Sequence, residues 1–151
     1  MNIMFVCTGN TCRSPMLARM FADYARKVGF GCAADSAGMK GGGSPVNPKA
    51  ACTLAARGLD SYGHVSKVFG DAEAGWADFV FTMDEGQRDE LRLRYPELRV
   101  ECLSAFCGSE IADPYGGGQA DYDATADIFE ALLPAVLDFV EKNSPQAEKD
   151  A

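Results

Sequence analysis

Short apolar runs of strand character alternate with helix-patterned segments along almost the whole chain. "NIMFVC" (2–7) is such a run, and "SPMLARMFADYARKVG" (14–29) follows it with Met16, Leu17, Met20, Phe21 and Tyr24 at helical spacing. Ser14 suits the helix N-cap, Pro15 its first turn and Gly29 its end. "GCAADSAG" (31–38) predicts a weaker strand, and "MKGGGSPVNP" (39–48) a loop. "NPKAACTLAARG" (47–58) predicts a helix capped by Asn47 and stopped by Gly58. "ADFVFTM" (77–83) is the clearest central strand, "DEGQRDELRLRY" (84–95) a helix, and "LRVECLSA" (98–105) a fourth strand. "DPYGGG" (113–118) is a loop, and 121–143 a long amphipathic helix disturbed at Pro134. This alternation predicts an α/β fold: one three-layer domain, a four-stranded parallel sheet with helices on both faces. The expected domain covers 1–143, with a frayed tail at 144–151.

Length and composition narrow the class. The chain has 151 residues, enough for one domain with its own core. The net charge of -8 argues against nucleic acid, whose binding rests on Lys and Arg meeting phosphates, and against an anionic membrane surface. No apolar run is long enough to span a bilayer. "MNIMFVC" lacks a basic segment and is too short for a secretory signal, so a cytoplasmic protein is expected. Six cysteines (7, 12, 32, 52, 102 and 107) stand in no C-x-x-C pair, and the single His64 offers little for zinc. Cys32 and Cys52 read as small buried hydrophobes.

In such sheets ligands bind beyond the carboxyl ends of the strands. "CTGNTCRS" (7–14) lies there, between the first strand and the first helix. Backbone N–H groups of Thr8 to Arg13 can converge on an anion, helped by the positive end of the helix. Gly9 allows close approach, and Asn10 tolerates a left-handed backbone. Arg13 adds a planar fork suited to a tetrahedral oxyanion. The same groups favour the thiolate of Cys7, the nucleophilic form, and Ser14 can donate to it. A buried cysteine before an ordinary capped helix explains Cys7 and Ser14, but not Gly9, Asn10 and Arg13 together.

The pattern C-x-x-x-x-x-R-S at Cys7–Ser14, at the extreme N-terminus, resembles the signature of the low-molecular-weight protein tyrosine phosphatases. "DPYG" (113–116), "DSAG" (35–38) and "HVS" (64–66) resemble further family segments in the right order, so the likeness covers most of 1–143. It implies hydrolysis of a phosphorylated protein through a phosphocysteine, with no metal and no organic cofactor. Cys7 is then the nucleophile. Arg13 and the loop Thr8, Gly9, Asn10, Thr11, Cys12 and Ser14 bind the phosphate. Asp113 is the general acid and then base. Ser36 and His64 brace the loop, Tyr115 walls the pocket, and Cys12 is a candidate redox partner of Cys7.

"NTC" at 10–12 resembles the protein-arginine phosphatase branch, because members acting on phosphotyrosine usually carry a bulky aliphatic residue where Thr11 stands. Phosphoarginine is therefore the favoured substrate and phosphotyrosine the alternative. "GMKGGGSP" (38–45) lacks the aromatic that commonly lines one side of the phosphotyrosine cleft. Two further readings rank lower. Thioredoxin-coupled arsenate reductases share a similar loop but need two cysteines just after the third strand, where "FTMDEGQRDEL" has none. A flavodoxin-like FMN module would use "TGNT" but needs neither Cys7 nor Arg13.

Overall fold

The computed structural model describes residues 1–144. The chain order is β1 (Asn2–Cys7), α1 (Arg13–Lys27), β2 (Ala33–Gly38), α2 (Pro48–Ala56), α3 (Asp71–Trp76), β3 (Phe79–Thr82), α4 (Glu85–Arg94), β4 (Val100–Cys102), α5 (Ser104–Cys107) and α6 (Gln119–Lys142). The four strands form one parallel sheet in the order β2-β1-β3-β4. It is the α/β fold that the alternation predicts.

Alternation along each strand feeds two cores. Ile3, Phe5, Phe79 and Phe81 face α1 and α6, where Leu17, Phe21, Phe129 and Val136 are buried. Met4, Val6 and Val80 face the other side, against Phe69 and Leu91. Phe5 stacks on Phe81 at 5.7 Å and meets Phe21 at 5.4 Å, so ring packing ties β1 to its neighbours. β1 is paired on both sides, and Cys7, its last residue, therefore sits on a rigid element. No helix among the described residues is long and apolar enough to cross a membrane.

Several expectations are corrected. Cys12, not Ser14, takes the N-cap position of α1; Ser14 lies inside the first turn with its hydroxyl turned towards Cys7. The fourth strand is only three residues long, because Leu103 turns into helical backbone (φ -61°) and starts α5. α3 is an element the sequence pattern did not mark. α6 runs through Pro134 without a break. Pro134 lies on the exposed side of the helix, as does Glu130, whose carbonyl loses its helical donor there. Cys52 is exposed and Cys32 only partly buried, unlike the buried hydrophobes expected. Of the expected tail, 145–151 lies outside the described residues.

Candidate active site

Cys7 ends β1, and the chain loops from Thr8 to Cys12 into α1. Asn10 holds this loop in shape. It has a left-handed backbone (φ 57°) that asparagine tolerates better than most residues. Its side-chain amide donates to Ser14 Oγ and to Ser36 Oγ, both at 2.9 Å. Its Oδ1 accepts from Lys67 N at 3.0 Å. Its backbone carbonyl lies 2.8 Å from His64 Nε2. A carbonyl can only accept, so His64 carries its proton on Nε2.

Cys7 is buried, 3% exposed as a residue, and lines the cavity at the floor of the loop. Ser14 Oγ lies 2.9 Å from it, and Asn10 N donates to it at 3.3 Å. Among the described residues the N–H groups of Thr8, Gly9, Thr11 and Cys12 have no protein acceptor. They are left for an anion above the thiol, at the positive end of α1.

Arg13 lies buried in the first turn of α1. Its Nη1 donates to Ile111 O at 2.8 Å, and its Nη2 lies 3.4 Å from Thr8 Oγ1 and 3.7 Å from Asp113 Oδ2. The carbonyl fixes one arm of the guanidinium and leaves the other facing the loop. Asp113 is half exposed at the rim, and its Oδ1 accepts from Tyr115 N at 3.1 Å. This is the turn that an Asp-Pro pair favours, and it fixes the carboxyl over the opening.

Cys7, Thr8, Gly9, Thr11, Cys12, Arg13, Lys40, Asp113 and Tyr115 together line one cavity of about 330 Å³. Asn10, Ser14 and Ser36 are buried behind it, and His64 touches the loop from outside. Cys12 Sγ is 3.5 Å from Tyr122 Oη, and burial pushes its thiol pKa up, partly offset by the tyrosine hydroxyl. Both loop cysteines are free thiols.

Two lining or supporting residues escaped the sequence reading. Lys40 follows β2 and has no motif of its own. Gln87 Nε2 donates to Thr8 Oγ1 at 3.1 Å while its Oε1 accepts from Met83 N. The Asp84–Gln87 spacing is a helix-start signature that could have marked it.

A thiol beneath unpaired amides, an arginine beside them and a carboxyl at the rim suit phosphoryl transfer through a covalent enzyme intermediate. The model of the low molecular weight phosphotyrosine protein phosphatases matches residues 2–146. The chain belongs to that family. It is a cysteine-dependent protein phosphatase. A protein-arginine-phosphatase of Geobacillus stearothermophilus is 35% identical over 87% of this chain and 90% of its own length. Low molecular weight protein-tyrosine phosphatase A of Mycobacterium tuberculosis is 33% identical over 94% of this chain and 93% of its own. A solved YwlE arginine phosphatase, a mutant with a phosphorylated active site serine, superposes with a TM-score of 0.87 at 29% identity. That match covers 95% of this chain and 98% of the other. Relatives named for each substrate are thus similar to this phosphatase to nearly the same degree. Membership in the family replaces the reductase and flavin-module readings.

Proposed function

We propose that this phosphatase hydrolyses phosphoarginine in proteins through a phosphocysteine, with phosphotyrosine as the second reading. The observation that carries the choice is Thr11 in the lining of the cleft. Its hydroxyl has one weak contact, 3.8 Å to Cys12 Sγ, and so is free to accept from a guanidinium N–H. A phenyl ring cannot use that hydroxyl, and a site built for polar contacts discriminates against groups that lack them.

Cys7 Sγ attacks phosphorus and the P–N bond breaks. Asp113 gives its proton to the leaving nitrogen, and Arg13 with the loop amides holds the equatorial oxygens. Water then attacks the phosphocysteine, Asp113 takes a proton from it, and the S–P bond breaks to release orthophosphate and the thiolate. The solved relative with a phosphorylated active site serine supports a covalent step at this place. Tyr115, 73% exposed at the rim, can stack on a guanidinium or on a phenyl ring, which keeps phosphotyrosine as the second reading.

The test compares kcat/KM on matched phosphoarginine and phosphotyrosine peptides for wild type, Thr11→Ile and Cys7→Ser. Wild type is expected to favour phosphoarginine, Thr11→Ile to reverse the preference, and Cys7→Ser to be inactive. A wild-type preference for phosphotyrosine makes this a tyrosine phosphatase with an unusual loop. Full activity in Cys7→Ser would sink the covalent mechanism.

A further inference from the structure

Three lysines lie around the phosphate loop, and two of them are committed. Lys67 Nζ is 2.5 Å from Asp35 Oδ2, and Lys49 Nζ donates to Gly117 O at 2.7 Å. Lys40 differs. It lines the cavity beside Thr8 and Gly9, it is exposed, and among the described residues its ammonium has no ion-pair or hydrogen-bond partner.

The backbone under Lys40 is fixed. Met39 N donates to Cys7 O at 3.0 Å and Lys40 N to Thr8 O at 3.1 Å, so the end of β2 continues along the phosphate loop. The chain then turns away through Gly41, Gly42 and Gly43, with φ of 85°, 139° and 81°, conformations that other residues rarely adopt. A long, free cation therefore stands on a fixed base at the wall of the cleft.

Arg13 and the loop amides already meet the phosphate at the floor. A cavity of about 330 Å³ holds a side chain, not a length of polypeptide. The substrate backbone must cross the mouth, and the neighbours of the phosphorylated residue pass the walls. The rim of the same cavity carries Asp113, which lies 3.7 Å from the Arg13 guanidinium and forms no ion pair with Lys40 among the described residues. In a protein of net charge -8, an uncommitted cation on one wall is a local exception to a surface that repels acidic partners.

We propose that Lys40 is a specificity-determining residue that favours phosphosites flanked by an acidic residue, by pairing its ammonium with that residue's carboxylate at the cleft mouth. The inference rests on the reading that the phosphorylated side chain enters this cleft. An exposed pair of this kind acts modestly and is screened by salt.

The experiment uses two peptide series, phosphoarginine and phosphotyrosine, each with Glu or Lys on both sides of the phosphorylated residue. kcat/KM is measured for wild type, Lys40→Gln and Lys40→Glu at low and high salt, with thermal melts to show that each variant folds. In wild type the Glu-flanked peptide is expected to be preferred over the Lys-flanked one about three- to tenfold at low salt, and less at high salt. The ratio should fall to about one in Lys40→Gln and invert in Lys40→Glu. A ratio indifferent to residue 40 overturns the inference. So does a uniform slowing of all peptides, which would assign Lys40 to the phosphate itself. Inactivity of wild type on both series would sink the underlying reading and the inference with it. That outcome is distinct from an active enzyme that ignores residue 40.

Discussion

Ser14 Oγ lies 2.9 Å from Cys7 Sγ, and Asn10 decides which way its proton points. Asn10 Nδ2 donates to the same oxygen at 2.9 Å, so Ser14 accepts there and keeps its own O–H to give. The other acceptor in reach, Ala37 O, is 3.4 Å away, so the sulfur is the nearer partner. A thiolate can only accept, so on the proposed mechanism the pair is a charge-assisted hydrogen bond in the reactive state and again when phosphocysteine breaks down. A hydrogen bond to a charged group contributes ~1.5–3 kcal/mol, so Ser14→Ala should lower kcat about tenfold to a hundredfold. Steady-state kinetics beside a thermal melt checks this. A kcat within about twofold of wild type would remove Ser14 from the chemistry.

Asn10 should matter for stability as well as activity. It is fully buried, and each polar group of its side chain has a partner. Asn10→Ala leaves Lys67 N without its acceptor, takes a donor from Ser14 and Ser36, and strains the left-handed backbone. Asn10→Gly removes the same hydrogen bonds without the strain. Urea unfolding should show both variants less stable by about 2 kcal/mol or more, with alanine the worse of the two. Equal stability of Asn10→Ala and wild type would mean that the loop is held elsewhere.

The parallel sheet and the loop after β1 were legible in sequence because strongly patterned segments carry them: "NIMFVC" and "FVFT" are buried on both faces, and Cys7 to Ser14 is local in the chain. What was not legible depends on tertiary placement. α3, "DAEAGW", has six residues, a glycine and no buried side chain, so it offers no periodicity to read. "LRVECLSA" keeps apolar residues across the point where the chain leaves the sheet, and only the backbone at Leu103 tells strand from turn. Ser14 looks like a helix cap by type, yet the partner it meets comes from β1. Lys40 sits in a glycine-rich segment with no motif, and only the pairing of β2 with β1 brings it to the cleft.

Cys12 should titrate late. Burial raises its thiol pKa above the ordinary value of 9.0, and the hydrogen bond from Tyr122 offsets only part of that. The same burial, with Cys12 beside it, pushes the Tyr122 phenol up, so Tyr122 remains a donor across the usual pH range. A raised thiol pKa means less thiolate at a given pH. In the Cys7→Ser variant, alkylation of Cys12 by iodoacetamide should therefore rise at higher pH than that of a cysteine in a short unstructured peptide added to the same sample. Tyr122→Phe removes a donor to the thiolate and should move the rise further up. Mass spectrometry of the labelled peptides gives the profiles. Labelling of Cys12 at or below the pH of the peptide thiol would contradict the burial argument.

Gly38 sets how closely β2 approaches the phosphate loop. A Cβ at this position would stand 2.8 Å from Thr8 O and 3.1 Å from both the N and the Cβ of Asn10. These atoms cannot easily yield: Thr8 O accepts from Lys40 N, and Asn10 is tied by its full set of hydrogen bonds. Gly38→Ala must then push the end of β2 away from the loop, and with it the segment that carries Lys40. Forcing atoms into a packed region costs ~1–3 kcal/mol, and a shift of the loop amides degrades the oxyanion site, so kcat/KM should fall about tenfold or more. Gly31→Ala is the control, because nothing lies within 4 Å of a Cβ there. It should leave both melting temperature and kcat/KM near wild type. If Gly38→Ala behaves like Gly31→Ala, the loop and the end of β2 move independently, and Lys40 does not stand on a fixed base.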